Sequence, residues 1–415
     1  MNLNTKYKGS DRMKWQERFA ERMDSLASSV AVSELLKLAE QADVISFAGG
    51  LPDPKIFPME AIQEAMDRVL AGDGPAALNY GPGLGYTLLR DWIAERMLVK
   101  ERAAASRENI LVTSGGVEAL HLICMALLEP GDTVVVGAPT YLVALHVFRA
   151  HQIKLVSIEL DENGFDTEGL EQCLKELDRQ GERPKLVYVI PSFQNPSGLT
   201  MNMERRHHLI KICERYNLPI VEDHAYADLR FEGEPIAALK SLAPDRVILI
   251  QTFSKIFAPG VRLGWVAADS SLIQQLSLCK IGTDTCANTL GQRLVYQYAS
   301  HGGIDTQISK AVLRYRRKRD VMIKALSEYL SGIVTWSRPG GGFYVWLTLP
   351  ESFDSEALLR HAIKNEKTAF VAGPVFFADG RGGQHLRLSY SFIAEDQIEE
   401  GIRRLAKAIK SQNTY

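Results

Sequence analysis

No run of uncharged apolar residues in this chain approaches the length of a bilayer span, and Met1 to Arg22 is polar and charged where a secretory leader would be apolar. The expected address is therefore the cytoplasm, with no membrane partner. Cysteine is scarce. Cys124, Cys173, Cys213, Cys279 and Cys286 are scattered through 415 residues, with no Cys-x-x-Cys pair and no nearby histidines. That pattern argues against a disulfide framework and a cysteine-held metal, and leaves reduced thiols. Charge of one sign is missing too, since 48 basic and 50 acidic residues cancel to a formal net of -2. Without a basic block, nucleic acid is not an expected partner. Internal repeats, low-complexity tracts and extended linkers are also absent.

What is present is a long chain with nearly half its residues apolar, too long for one small core, so two closely packed domains are expected. Between about residues 108 and 268, short runs rich in Val, Ile and Leu alternate with amphipathic segments, the βαβ signature of a mostly parallel sheet covered by helices. Seven strands are predicted, at Asn109 to Thr113, Thr133 to Gly137, Lys154 to Glu159, Leu186 to Pro191, Pro219 to Glu222, Val247 to Gln251 and Leu263 to Ala267. Helices are predicted over Val117 to Leu128 and Glu204 to Tyr216. After Gly303 the pattern changes to a charged helix (Ser309 to Leu330), a hairpin-like apolar run (Gly342 to Leu349), a helix from Ser355 to Asn365, a strand from Leu386 to Ser391 and a final helix. The fold class is thus α/β. A large domain over 46–300 carries the seven-stranded sheet, a smaller α+β domain covers 301–415, and residues 1–45 form an N-terminal arm and helix that packs with the small domain.

Lys255 is the residue that first suggests chemistry. A strand ends just before Thr252-Phe253-Ser254-Lys255-Ile256-Phe257-Ala258-Pro259-Gly260-Val261-Arg262, so a lysine is delivered into a loop with two hydroxyls and an arginine. An amine beside an anion site suits a cofactor with an aldehyde and a phosphate, and pyridoxal phosphate is the candidate. Most lysines that follow strands are solvated surface charges, so the assignment depends on what else the strand ends carry.

Four further clusters leave strands where open α/β sheets place ligands. Thr113-Ser114-Gly115-Gly116-Val117-Glu118 puts two glycines before a helix whose free N–H groups could hold a phosphate, although a glycine-rich strand-to-helix turn is ordinary. Ile190-Pro191-Ser192-Phe193-Gln194-Asn195-Pro196-Ser197-Gly198 displays the Asn195 amide, a donor for a phenolate-type oxygen, in what is equally a common turn. In Ile220-Val221-Glu222-Asp223-His224-Ala225-Tyr226 a hydrophobic strand ends in a carboxylate. Asp223 is either a helix cap or the partner of a pyridinium nitrogen, with Tyr226 near the ring oxygen and His224 a spectator. Gln384-His385-Leu386-Arg387-Leu388-Ser389 carries an arginine whose fork fits a substrate carboxylate or a protein one.

These segments, in this order, resemble the fold-type I, class I pyridoxal-phosphate-dependent aminotransferases, and look closest to the branch of 2-aminoadipate, kynurenine, branched-chain and aromatic amino-acid aminotransferases. The likeness runs from Ile45-Ser46-Phe47-Ala48-Gly49-Gly50-Leu51-Pro52-Asp53-Pro54 and Asn79-Tyr80-Gly81-Pro82-Gly83-Leu84-Gly85-Tyr86 to Leu386-Arg387-Leu388-Ser389. It implies Lys255 as the Schiff-base lysine and proton shuttle, Asp223 on the ring nitrogen, Asn195 and Tyr226 on the ring oxygen, and Tyr141 stacked on the ring face. The phosphate would lie among Gly115, Gly116, Val117, Thr252, Ser254 and Arg262, with Tyr80 reaching in from a second subunit of a homodimer. Arg387, helped by Asn195 and the Gly50 backbone, would hold the substrate carboxylate. The resemblance further implies ping-pong chemistry between an amino acid and a 2-oxo acid such as 2-oxoglutarate, and cis peptides before Pro139 and Pro196.

Two departures from the family stand out. At Gly116-Val117-Glu118 many relatives carry a hydroxyl and amides, so backbone N–H groups carry more of the phosphate binding here. In the helix leading into Glu34-Leu35-Leu36-Lys37-Leu38, where an arginine can recognise a distal carboxylate, this chain reads Ser28-Ser29-Val30-Ala31-Val32-Ser33. The missing cation favours neutral substrates, branched-chain, methionine-like or aromatic. Other readings of the same scaffold are a pyridoxal-phosphate eliminase or decarboxylase, a 2-aminoadipate-type dicarboxylate enzyme, and a ligand sensor.

Overall fold

A computed structural model describes residues 13–26 and 43–412. The segment from Ser28 to Leu38, on which the substrate expectation partly rests, lies outside the described residues. Fourteen strands are named here in chain order. They are β1 Ile45–Ser46, β2 Ile110–Thr113, β3 Thr133–Ala138, β4 Lys154–Asp161, β5 Gly164–Phe165, β6 Leu186–Val189, β7 Ile220–Asp223, β8 Val247–Thr252, β9 Gly264–Ala267, β10 Thr335–Trp336, β11 Tyr344–Thr348, β12 Thr368–Ala369, β13 Val371–Ala372 and β14 His385–Ser389.

The large sheet has the order β2-β9-β8-β7-β6-β3-β4-β5. All seven predicted strands form it, and an eighth, the two-residue β5, folds back antiparallel on the edge of β4. The core pairs are parallel, while β9 runs antiparallel to both β8 and β2. Every residue of β2, β3, β6, β8 and β9 is buried, as a sheet covered on both faces requires. One face packs against helices Gly116–Leu127, Leu142–Ala150 and Ser270–Ile281 through Leu120, Ile123, Leu145, Phe148 and Leu276. The other meets Thr87–Lys100 and Thr289–Ser300 through Ile93, Met97 and Val295, and Thr167–Arg179 and Met203–Arg215 through Leu174, Leu209 and Ile212. Local sequence fixes the helix starts. The Asp166 carboxylate accepts the Glu168 N–H at 3.0 Å and the Asn202 side chain accepts the Arg205 N–H at 2.9 Å.

A second, antiparallel sheet has the order β10-β11-β14-β13 and shares one apolar core with the long helices Gly303–Leu330 and Glu395–Gln412. The apolar run near Gly342, expected as a hairpin, is instead the single strand β11. Four of its five residues are buried, and it lies between β10 and β14, so it has partners on both edges and no need to fold back on itself. The helix expected from Ser309 begins at Gly303, directly after the left-handed Gly302. β1 pairs in parallel with β12, which ties residues 45 and 46 to the C-terminal part of the chain. The five cysteines are free. Among the described residues, no helix is long and apolar enough to cross a membrane and no group of three or more His, Cys, Asp or Glu could hold a metal ion.

Candidate active site

The carboxyl ends of β2, β6, β7 and β8 converge on a cavity of about 230 Å³ lined by Gly116, Val117, Tyr141, Asn195, Asp223, Tyr226, Thr252, Ser254, Lys255 and Arg262. A second cavity of about 780 Å³ adjoins it and shares Leu51, Tyr141, Asn195, Tyr226 and Lys255. Residues from five separate segments therefore meet where strand ends leave backbone groups free.

Lys255 stands between the two spaces and donates from Nζ to the Gly50 carbonyl at 3.0 Å. Burial, then the Arg387 and Arg262 charges, hold its amine down to about 8. Asp223 ends β7. Its Oδ1 accepts the Ala225 N–H at 3.2 Å and its Oδ2 accepts the Tyr188 hydroxyl at 2.7 Å. Both donors are neutral, and burial pushes the Asp223 carboxyl up. A cationic group in the cavity would relieve that cost. His224 beside it is buried and pushed down to about 3, chiefly by burial, so it stays neutral. The Tyr226 hydroxyl meets the Tyr344 hydroxyl at 3.0 Å.

At the other end, the Thr252 hydroxyl donates to Ser254 Oγ at 3.0 Å, and Arg262 takes a left-handed conformation that turns it toward the glycines. Gly115 has φ +97, and a Cβ there would sit 2.7 Å from the Arg262 guanidinium. Only glycine allows that approach, and the helix opening at Gly116 presents its first amides to the same space. Gly115 itself backs onto Arg262 and does not line the cavity.

Arg387 sits mid-strand in β14, opposite Trp346 of β11 and Val371 of β13. It donates to Asn195 Oδ1 at 3.0 Å and to the Ala48 carbonyl at 2.8 Å, and its guanidinium lies over the Tyr344 ring at 4.2 Å. Its buried Nε has no partner among the described residues. Because arginine only donates, the Asn195 amide must turn its oxygen to Arg387, which leaves its NH₂ to donate elsewhere. The backbone acceptor of Arg387 is Ala48, while the Gly50 carbonyl accepts from Lys255 and Gly50 lines the larger cavity beside Arg387. Gly50 has no room for a side chain, since a Cβ would meet the Tyr344 hydroxyl. The peptides before Pro139 and Pro196 are both cis. Tyr80 is not brought to the cavity in a single chain: it is 85% exposed.

Tyr344 and Tyr188 escaped the sequence reading. Tyr188 lies inside an apolar strand where tyrosine is ordinary, and Tyr344 follows Gly340-Gly341-Gly342-Phe343, a glycine run that signalled a turn and not the side chain it delivers. The Asp53 network was also missed. Asp53 Oδ2 takes Lys318 Nζ at 2.6 Å and the Arg314 guanidinium, and Lys318 donates to the Ser391 carbonyl at 2.8 Å. The segment from Ala48 to Asp53 is thereby fastened to the Gly303–Leu330 helix. Lys318→Met removes one of the two cations on a buried carboxylate and leaves Arg314, and we expect a loss of about 2 kcal/mol, read as a lower urea midpoint of the holoenzyme. An unchanged midpoint would show the pair to be dispensable.

An amine, a set of backbone amides with hydroxyls and an arginine, and a cation-seeking carboxylate around one cavity match a cofactor that carries an aldehyde, a phosphate and a basic ring nitrogen. The residues present fit pyridoxal phosphate. The chain matches the family Aminotransferase class I and II over residues 42–405, and it belongs to that family. It is a pyridoxal-phosphate-dependent aminotransferase. It is 42% identical over 399 residues to aromatic-amino-acid aminotransferase 1 of Thermococcus litoralis, covering 96% of this chain and 95% of that one. Kynurenine aminotransferase of Pyrococcus horikoshii, solved with PMP and with KYN as substrate, superposes with a TM-score of 0.93 at 39% identity, covering 97% and 99%. The α-aminoadipate aminotransferase LysN of Thermus thermophilus, complexed with N-(5'-phosphopyridoxyl)-L-leucine, gives a TM-score of 0.88 at 35% identity, covering 96% and 99%.

Proposed function

We propose that this aminotransferase moves the α-amino group of a neutral amino acid, branched-chain, methionine-like or aromatic, to a 2-oxo acid such as 2-oxoglutarate in a ping-pong cycle. The observation that carries the substrate class is the lining of the 780 Å³ cavity: Val44, Ile45, Leu51, Leu142, Phe392 and Ile393 form apolar walls, and Lys255 and Arg387 are the cations among the described residues that line it. With both cations assigned to the reacting end, the walls favour an uncharged side chain. The relatives named for aromatic amino acids and kynurenine agree with that reading.

Bound in the smaller cavity, pyridoxal phosphate supplies an aldehyde that condenses with amines and a cationic ring that draws electrons from the substrate's Cα. The chain's residues do the rest. Thr252, Ser254, Arg262 and the amides at Gly116 and Val117 would hold the phosphate, with Gly115 giving Arg262 its close approach. Tyr141 would cover the ring, Asn195 and Tyr226 would donate to its oxygen, and Asp223 would pair with its nitrogen. Arg387 clamps the substrate carboxylate and so sets which Cα bond faces Lys255. Lys255, aimed by the Gly50 carbonyl, takes the Cα proton and returns it as general base and acid. Residues 46–300 would act as the cofactor-binding domain, 301–415 as the smaller domain that brings Arg387, and 1–45 as an arm. The exposed Tyr80 reaches the phosphate of a second copy in a cytoplasmic homodimer.

The test is a panel of amino acids added to the purified holoenzyme, following loss of its visible absorbance and the amino acid formed from added 2-oxoglutarate. Leucine, methionine or phenylalanine is expected to give kcat/KM at least about tenfold above aspartate and 2-aminoadipate, the scale of discrimination an apolar pocket provides. A dicarboxylate preferred by that margin would overturn the substrate class. Pyruvate and ammonia released without an acceptor would overturn the transfer itself.

A further inference from the structure

Behind the glycine turn lies a buried charge cluster that the reaction does not use. Glu118, in the first turn of the Gly116–Leu127 helix, folds back so that Oε2 accepts the Ser114 N–H, and both its oxygens lie 2.9 Å from Lys280 Nζ. Lys280, on the Ser270–Ile281 helix, has a fully buried side chain and also lies 2.6 Å from Asp284 Oδ1. Asp284 Oδ2 in turn accepts the Ser114 hydroxyl at 2.6 Å. Ser114 is the residue between β2 and Gly115, and its carbonyl accepts a hydrogen bond from Arg262 at 3.4 Å. Two carboxylates bridged by one lysine therefore fix the amide and the hydroxyl of the residue that aims the anion turn.

The charge balance of this arrangement matters because the turn faces a phosphate. Burial pushes the Glu118 carboxyl up, and the three N–H donors on it oppose that and suit its ionised form. Glu118, Asp284 and Lys280 together then leave one negative charge behind a site meant for a dianion. We propose that Lys280 is the positioning residue that makes this turn able to hold the cofactor's phosphate, and that Glu118 sets how tightly it does so. Removing Glu118's charge makes the cluster neutral, removing Lys280's doubles its negative charge, and removing both restores the native balance.

This rests on the cradle reading of Gly116 and Arg262, and the experiment separates the two. The full-length protein, depleted of cofactor, is titrated with pyridoxal 5'-phosphate and with pyridoxal, which lacks the phosphate; the ratio of the two affinities isolates the phosphate's share. Relative to wild type, Glu118→Gln is expected to raise that ratio roughly tenfold and Lys280→Met to lower it roughly tenfold, as one unit charge near a dianion in a partly solvated site does. The double variant is expected to return within about threefold, and all shifts should shrink in high salt. Should Lys280→Met fail to fold, Glu118→Gln and the double variant still decide the matter. A purely structural role would change both affinities together and leave the ratio alone, which overturns the proposal, as does a ratio in Glu118→Gln at or below wild type. A wild-type protein with no preference for the phosphorylated ligand would instead overturn the cradle, and the proposal with it.

Discussion

Lys255→Ala is expected to reduce turnover by at least about 10⁴-fold, the full range attributed to a positioned proton-transfer group, and to abolish the visible band of the cofactor joined to the protein. Lys255 is the only lysine lining either cavity among the described residues, so no neighbouring amine can replace it. A steady-state assay with leucine and 2-oxoglutarate, with a spectrum of each protein, checks both. Activity within tenfold of wild type, or an unchanged band, would remove Lys255 from the mechanism. The same residue gives a pH dependence whose sign is fixed. With the amine held at about 8, by burial first and Arg387 second, the free base that takes a proton grows as pH rises through that value. Stability of the cofactor-depleted chain should rise between about 8 and the ordinary lysine value of 10.5, since there the unfolded chain keeps a proton that the folded chain has lost.

Asp223→Asn carries the second large effect. The substitution preserves shape and can keep a hydrogen bond from the Tyr188 hydroxyl, while it removes the negative charge that stabilises a protonated ring nitrogen. A loss of about 10³-fold in kcat is expected, comparable to deleting a preorganised electrostatic partner, while cofactor retention through the phosphate end persists. Single-turnover absorbance with saturating amino acid separates the two quantities. A kcat reduced only a few-fold would mean that Asp223 serves as a cap for the Ala225 turn, which its bond to that amide also permits.

The large sheet was readable in the sequence because its strands are buried on both faces. Runs such as Val247–Ile250 and Ile220–Val221 are continuous in Val, Ile and Leu, and each ends where a chemically distinctive residue begins. Strand ends of that kind place Lys255, Asp223, Asn195 and the Gly115 turn in register without knowledge of any side-chain contact. β5, β12 and β13 were not readable, because two-residue strands carry no periodicity and exist only by pairing with a neighbour already in place. The same limit hid Tyr188 and Tyr344, whose roles arise from partners 35 and 118 residues away. It hid the Lys280 cluster as well, since its bonds to Glu118 span 162 residues. Sequence pattern reports what a residue does to its own segment. It is silent about which distant segment the residue will meet.

Arg387 carries a further consequence. Its protein acceptors, Asn195 and Ala48, are both neutral, and the Tyr344 and Phe376 rings lie against it, so a permanent cation waits in a sheltered place without a counter-ion among the described residues. Any small carboxylate or oxyanion in solution can settle there. Acetate, sulfate and phosphate would then act as competitors of the amino acid, and the choice of buffer becomes a variable in every Michaelis constant measured for this enzyme.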